Sequence, residues 1–324
     1  MRPMTMLGLN RATLFRQFLL DGVDLHVSTV DAVHRLAGLN AQDRGGASLS
    51  AAARGLAAEV DANLQARTLV RAPLLRGTQH IVTAQDYLAW WPVLRPVLAR
   101  TQRFFGQVPG ELTSAATDIL AEGPLTRTEL AQRLARRWPD HDPKALASSV
   151  QFLVPIVHPP GPGSRTVLAL AEDWLGQPVQ ADTDPKPLIA RYLAAFGPAT
   201  VKDMQAWSGL TRLREHVAQM PLHELEGGLY DLPDAPLPDP DTPAPTRLLP
   251  YVDNLLTAHA DRTRIMDPDV QRRVCIGAVV KATVLHDGRV VGTWWVEHGD
   301  LQLDLFVPVP GLELVPPVAH YPRY

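Results

Sequence analysis

The chain has a single cysteine, Cys275, among its 324 residues. That excludes an intrachain disulfide and any zinc site built on clustered cysteines. No run of 18 apolar residues occurs, so no membrane-spanning helix is expected. The opening stretch, MRPMTMLGLNRATLFRQFLL, sets Arg11 and Arg16 inside its apolar pattern and lacks the form of a secretory leader. These absences fit a reducing, cytoplasmic setting. Also missing are a glycine-rich phosphate loop, a His-Glu-x-x-His metal helix and a Gly-x-Ser-x-Gly elbow. The 11 histidines show no metal-ligand spacing, so no metal is expected.

What is present is enough for a packed core. Apolar residues make up 46% of the chain, and 30 prolines with 22 glycines call for many turns. The length allows two or three domains. The formal net charge of −3 argues against a nucleic-acid partner, but the charge is uneven. Residues 1–150 hold 17 Lys/Arg against 13 Asp/Glu, and residues 151–324 hold 14 against 21. Between 67 and 103, six arginines face one acid, Asp86. A local basic surface is compatible with a mildly acidic whole, and so is an ordinary solvated face.

Periodicity predicts a helix over NRATLFRQFLL, with Asn10 as its cap, and a second after Ser28, closed by Gly38. The turn DGVDLH separates them. A helix is predicted over 51–66, two short strands around Arg76–Gly77, and helices over 83–104. The pattern then recurs. TSAATDIL, GPLTRTELAQRLARRW and ALASSVQFLVPIVHPPGPGSRTVLAL read as helix, turn, helix, helix and hairpin, with the hairpin turn at 159–164. PLIARYLAAFGPATVKDMQAWSGL begins it again, so Gly123–Pro124 and Gly197–Pro198 open matching units. Residues 232–250 are a proline-rich strap. The remainder is strand-rich, with Asp–Gly at the turn HDGR, 286–289.

Three stretches carry candidate chemistry. GLNAQD, at 38–43, presents Asn40 and Gln42, which do not titrate near neutral pH but hold a water or a base edge. VRAPLLRGTQH offers Arg71, Arg76 and Thr78 as phosphate donors around a Gly–Thr turn, or as an ordinary strand pair. AHADRTR gathers His259, Asp261, Arg262 and Arg264, either as a polar patch reaching phosphates or as a buried network that fixes a turn. Arg289, at the HDGR tip, is a candidate for a minor groove.

The strings LNRATLFRQFLL, VDAVHRLAGLNAQD, LVRAPLLRGTQHIVTAQDY, RYLAAFGPATVKDMQAWSGL, LLPYVDNLLTAHADRTR and VLHDGRVVGTW occur in this order along the chain. Together they resemble the winged-helix DNA-binding family that contains the AlkZ-like and YcaQ-like DNA glycosylases. The resemblance spans nearly the whole chain. It implies an α+β fold of three tandem winged helix-turn-helix domains around a concave DNA-binding channel, here 1–108, 109–182 and 183–324, with a strand-rich C-terminal portion. It implies excision of N-alkylated purines, notably bulky N7-alkylguanine adducts and interstrand crosslinks, from double-stranded DNA. No cofactor is needed, and a monomer in the bacterial nucleoid suffices.

The family's catalytic motif, Gln or His, an aliphatic residue, then Gln, falls on Asn40, Ala41 and Gln42. Gln42 matches; Asn40 departs, being one methylene shorter than Gln. An N7-alkylated guanine is a cationic leaving group, so an amide that directs a water toward C1′ is sufficient help. No lysine adjoins the motif, so a lyase step is not implied. A non-catalytic protein that binds or sequesters damaged DNA is the alternative that Asn40 and the acidic charge keep open.

Overall fold

The structure, a computed structural model, describes residues 4–20, 27–56, 59–161, 166–277, 279–310 and 312. It is a mixed α and β fold whose contacts gather into two units. One comprises Met1–Ala58, Pro185–Trp207 and Thr211–Tyr324; the other, Glu59–Asp184 and Ser208–Leu210. Among the described residues no helix is long and apolar enough to cross a membrane.

The first unit is built on the helix Met6–Arg16. Thr5 caps it, accepting from the Gly8 N–H, so the cap is not Asn10. Asn10 is buried in mid-helix because its amide has tertiary work: Nδ2 donates to the carbonyls of Arg264 and Gly288. Leu14, Leu19, Leu255, Leu256, Ile265, Leu285 and Val290 form the core around it. Each fully buried leucine or isoleucine contributes about 1.5–3 kcal/mol of burial. Arg16 is also buried, because Asp231 receives both of its terminal nitrogens at 2.7 and 2.8 Å.

A four-stranded antiparallel sheet covers that core, in the order Arg247–Leu249, Thr283–His286, Arg289–Glu297 and Asp300–Leu305. The Asp287–Gly288 turn falls where the sequence predicts it. The turn needs a glycine for two reasons. Its φ is +75°, and a Cβ there would lie 2.4 Å from Asn10 Oδ1.

The second unit carries the hairpin Leu69–Pro73 with Gln79–Thr83, followed by the single helix Ala84–Gln102. Pro92 sits inside that helix and removes the N–H owed to the Leu88 carbonyl. The Gln180 N–H takes the vacant carbonyl instead, at 3.1 Å. Gly77, at φ +74°, lies so close to Thr101 that any Cβ would clash at 2.5 Å. The helices Leu112–Ala121, Arg127–Arg137 and Pro143–Leu153 share the core of Leu112, Leu130, Leu134, Leu146 and Val150.

The matched Gly–Pro openings are visible in three dimensions. Leu125–Thr126 precedes the helix Arg127–Arg137, and Ala199–Thr200 precedes Val201–Ser208. Thr126 and Glu129 form a reciprocal capping box. Thr200 and Asp203 repeat the arrangement, the Asp203 carboxylate accepting from the Thr200 N–H and the Thr200 hydroxyl accepting from the Asp203 N–H. Each strand then joins a three-stranded antiparallel sheet of the same order, opening strand, last strand, middle strand. One of these element expectations changes. The helix predicted over 51–66 is two, Arg44–Ala53 and Val60–Gln65, parted where Gly55 turns to φ +69°. The turns at 21–26 and, from 162 on, at 159–164 lie outside the described residues.

His80 is a sensor of acid for this fold. Burial, then the Arg76 charge, lower its pKa to about 3, against a smaller upward pull from the Thr78 carbonyl. The folded state therefore holds it neutral while the unfolded chain protonates near pH 6.5. Stability is expected to be full above about pH 6.5 and to fall continuously toward about pH 3. His80→Asn, which keeps a neutral donor, should flatten that slope in denaturation curves taken across this range; an unchanged slope would refute the assignment.

Candidate functional site

The helix Thr29–Arg35 is capped by Ser28, which accepts from the Asp31 N–H, as its sequence predicts. It ends through two positive-φ residues, Ala37 at 57° and Gly38 at 91°. The chain then extends through Leu39–Asn40 and enters the helix Arg44–Ala53. Burial is continuous through Ala41 and ends at Gln42. Leu39 and Ala41 are fully buried and anchor it, while Gln42 is exposed. Asp43 caps the next helix, accepting from the N–H groups of Gly45 and Gly46. Its carboxylate is thus committed to the backbone rather than to a substrate.

Asn40 is 7% exposed, and its carboxamide has a definite orientation. Oδ1 accepts from the Gln42 N–H at 3.2 Å, so the oxygen faces a donor and Nδ2 has no partner among the described residues. An oxygen bonded two residues ahead is an Asx turn. That geometry suits the short Asn side chain. Asn40 therefore has a local role: it shapes the turn that leads to Gln42.

The loop is held from far along the chain. Asn254 Oδ1 accepts from the Asn40 N–H at 2.8 Å, and Asn254 Nδ2 donates to the Gly38 carbonyl. Its neighbour Asp253 caps the helix Asn254–Thr257 and receives Arg54 on both oxygens, at 2.7 and 2.8 Å, with the Ser50 hydroxyl at 2.7 Å. Arg54 and Asp253 side chains are both wholly buried. Burial would raise the Asp253 pKa, but the Arg54 charge and the bonds from Arg54, Ser50 and the Leu255 N–H outweigh it and leave it lowered. Sequence reading missed Asn254, Asp253 and Arg54, because nothing near YVDNLL announces a contact some 200 residues away.

The remaining candidates separate. His259 and Arg264 are 2% and 5% exposed and belong to the core of the first unit. His259 Nε2 bonds the Phe196 carbonyl amid Tyr192 and Phe196. Burial, then the Arg264 charge, push its pKa well down. Arg264 donates to Thr13 and to the Pro198 carbonyl. Their expected phosphate contacts are corrected on this ground: both are enclosed, and the buried network is the reading their surroundings favour. Its acid is Asp203, which accepts from the Ala260 N–H, while Asp261 is exposed. Arg262 donates to Cys275 Sγ. Arg289 pairs with Asp267 at 2.6 Å and donates to the Thr263 carbonyl. Its hairpin tip is docked on Asn10 and Arg11 rather than standing free. In the second unit, Arg71 and Arg76 are half-buried, and the Thr78 hydroxyl donates to the Leu75 carbonyl.

A family model described as DNA glycosylase AlkZ-like matches residues 33–309. The chain belongs to the AlkZ-like DNA glycosylase family. Its activity is that of a DNA glycosylase, hydrolysis of an N-glycosidic bond. A curated relative, the interstrand DNA cross-link repair glycosylase of Streptomyces sahachiroi, is 26% identical, with 89% of this chain and 87% of the relative covered. The solved structure of Streptomyces sahachiroi DNA glycosylase AlkZ superposes with a TM-score of 0.80 at 24% identity, covering 98% of this chain and 94% of that one. The AlkZ-like fold is shared along the chain.

The clamp on the motif loop is testable. Asn254→Ala should strand the Asn40 N–H and the Gly38 carbonyl without partners, at a cost of about 2 kcal/mol or more in urea denaturation. Asp253→Asn should cost about 3–5 kcal/mol by leaving Arg54 buried and unpaired. The Asp253 contribution is full above about pH 4 and is lost as pH falls through its lowered folded pKa. The variant should therefore lack that acid loss, and wild-type stability in either variant would refute the clamp.

Proposed function

We propose that this AlkZ-like protein is a monofunctional DNA glycosylase for N7-alkylated guanines, including bulky adducts and interstrand crosslinks, acting as a monomer on double-stranded DNA. The Streptomyces sahachiroi relative is named for cross-link repair. The observation that carries the reading is the division of labour within the motif. Gln42 has the exposed side chain, and Asn40 spends its oxygen on the Gln42 N–H. Gln42 is therefore the amide that accepts from the attacking water, and Asn40 positions it.

The water oxygen forms the new bond to C1′ as the C1′–N9 bond breaks. The electron pair passes to the cationic purine, which leaves as neutral 7-alkylguanine, and the water's proton passes to solvent. An amide is too weak a base to take that proton, but a cationic leaving group makes orientation the larger need. Arg71, Arg76 and Thr78 are the phosphate contacts in this reading. The chain is read as three winged-helix domains, 1–108, 109–182 and 183–324. The repeated capping boxes and sheet orders at Thr126 and Thr200 support the second and third.

The test is single-turnover excision from a duplex with one N7-methylguanine. Gln42→Ala should slow release on the order of 100-fold. Asn40→Gln should slow it about tenfold or more, because the longer side chain spoils the Asx turn. Unchanged excision by Gln42→Ala would sink the mechanism; binding without release by the wild type would sink the substrate class.

A further inference from the structure

Beside the motif loop, within the first unit, lies a cleft of about 1180 Å³. Asp43, the residue after Gln42, and Gly46, in the first turn of the following helix, form one side of it. A Cβ on Gly46 would sit in ordinary contact with the Tyr251 carbonyl, 3.9 Å away. The strand Arg289–Glu297 also lines the cleft, through Thr293 to Glu297. Trp294 is buried there, its Nε1 fixed on the Leu249 carbonyl at 2.9 Å. The strand alternation then turns Trp295 outward, 46% exposed, and Tyr251 is 44% exposed on the same cleft. Two large aromatic faces open to one cavity are a stacking surface rather than scattered surface residues.

Charge narrows the occupant. Asp43, Glu297 and Asp304 line the cleft against one lysine, Lys281, and Arg273 pairs with Asp304 at 3.4 Å. A phosphodiester would meet more carboxylates than cations here. A cationic alkylated base with an uncharged planar arm would not be repelled.

We infer that this cleft is the binding site for the adduct's own arm: a planar aromatic substituent on N7 of guanine, stacked on Trp295 and Tyr251. The inference rests on the reading that Gln42 marks where the damaged nucleotide sits. It makes the cleft a determinant of lesion choice, separate from the groups that cut. A methyl adduct is too small to reach the aromatic faces. A polycyclic arm reaches them and gains one stack's worth of affinity, about tenfold.

The experiment separates binding from excision. Duplexes would carry 2′-fluorinated N7-methylguanosine or N7-(pyrenylmethyl)guanosine, which resist glycosidic cleavage, and affinity would be read by fluorescence anisotropy. The wild type should bind the pyrenylmethyl duplex about tenfold tighter than the methyl duplex. Trp295→Ala should abolish that preference while leaving methyl-duplex affinity within about twofold, and Trp295→Phe should restore most of it. The inference is overturned if the wild type shows no preference, or if Trp295→Ala weakens both duplexes equally, the signature of a backbone contact or a damaged sheet. It is overturned equally if the preference survives in both Trp295→Ala and Tyr251→Ala. Excision of ordinary N7-methylguanine is scored separately: its absence with the preference intact would fail the catalytic reading and keep the cleft.

Discussion

The buried ion pair between Arg54 and Asp253 is the constraint on which the site region depends. Neither side chain touches solvent, and an isolated charge in that position would be untenable. The pair is tolerated because its bonds are nearly complete: two Arg54 nitrogens on two Asp253 oxygens, with Ser50 and the Leu255 N–H filling the carboxylate's remaining capacity. A group so fully engaged has one geometry. It ties the end of the helix Arg44–Ala53 to the start of the helix Asn254–Thr257, and so fixes where Asn254 stands.

From there the order passes outward to the chemistry. Asn254 grips the Gly38 carbonyl and the Asn40 N–H, Asn40 grips the Gln42 N–H, and the exposed amide of Gln42 is the end of the line. The two bonds made by Asn254 are buried, where a hydrogen bond is hard to replace by water. The backbone that presents Gln42 is thereby set by Asn254, far along the chain. Asp43 contributes by locking the helix start instead of competing as a base.

The same economy explains the other buried arginines. Arg11, Arg16 and Arg264 are each drawn inside to carboxylates, carbonyls or hydroxyls from distant parts of the chain. In a protein whose substrate is a polyanion, these arginines are structural, and counting Lys and Arg along the sequence overstates the charge left for phosphates.

Much of this was legible in residues alone. The cap at Ser28, the Asp–Gly hairpin, the paired Gly–Pro openings and the breakage at Gly38 are local rules, each set by a few neighbouring residues. The ordered strings that resemble one family identified the family that the chain belongs to. Asn10 misled as a cap because its partners are Arg264 and Gly288. His259 and Arg264 read equally well as surface or core, since a polar string does not reveal which side of it will be covered. Asn254, Asp253 and Arg54 gave no signal, because a hydrogen bond spanning some 200 residues leaves no trace in spacing. Tertiary structure decided the hold of Asn254 on the motif loop and brought Trp295 and Tyr251 to one cleft. Both arise only when segments distant in sequence are packed against each other.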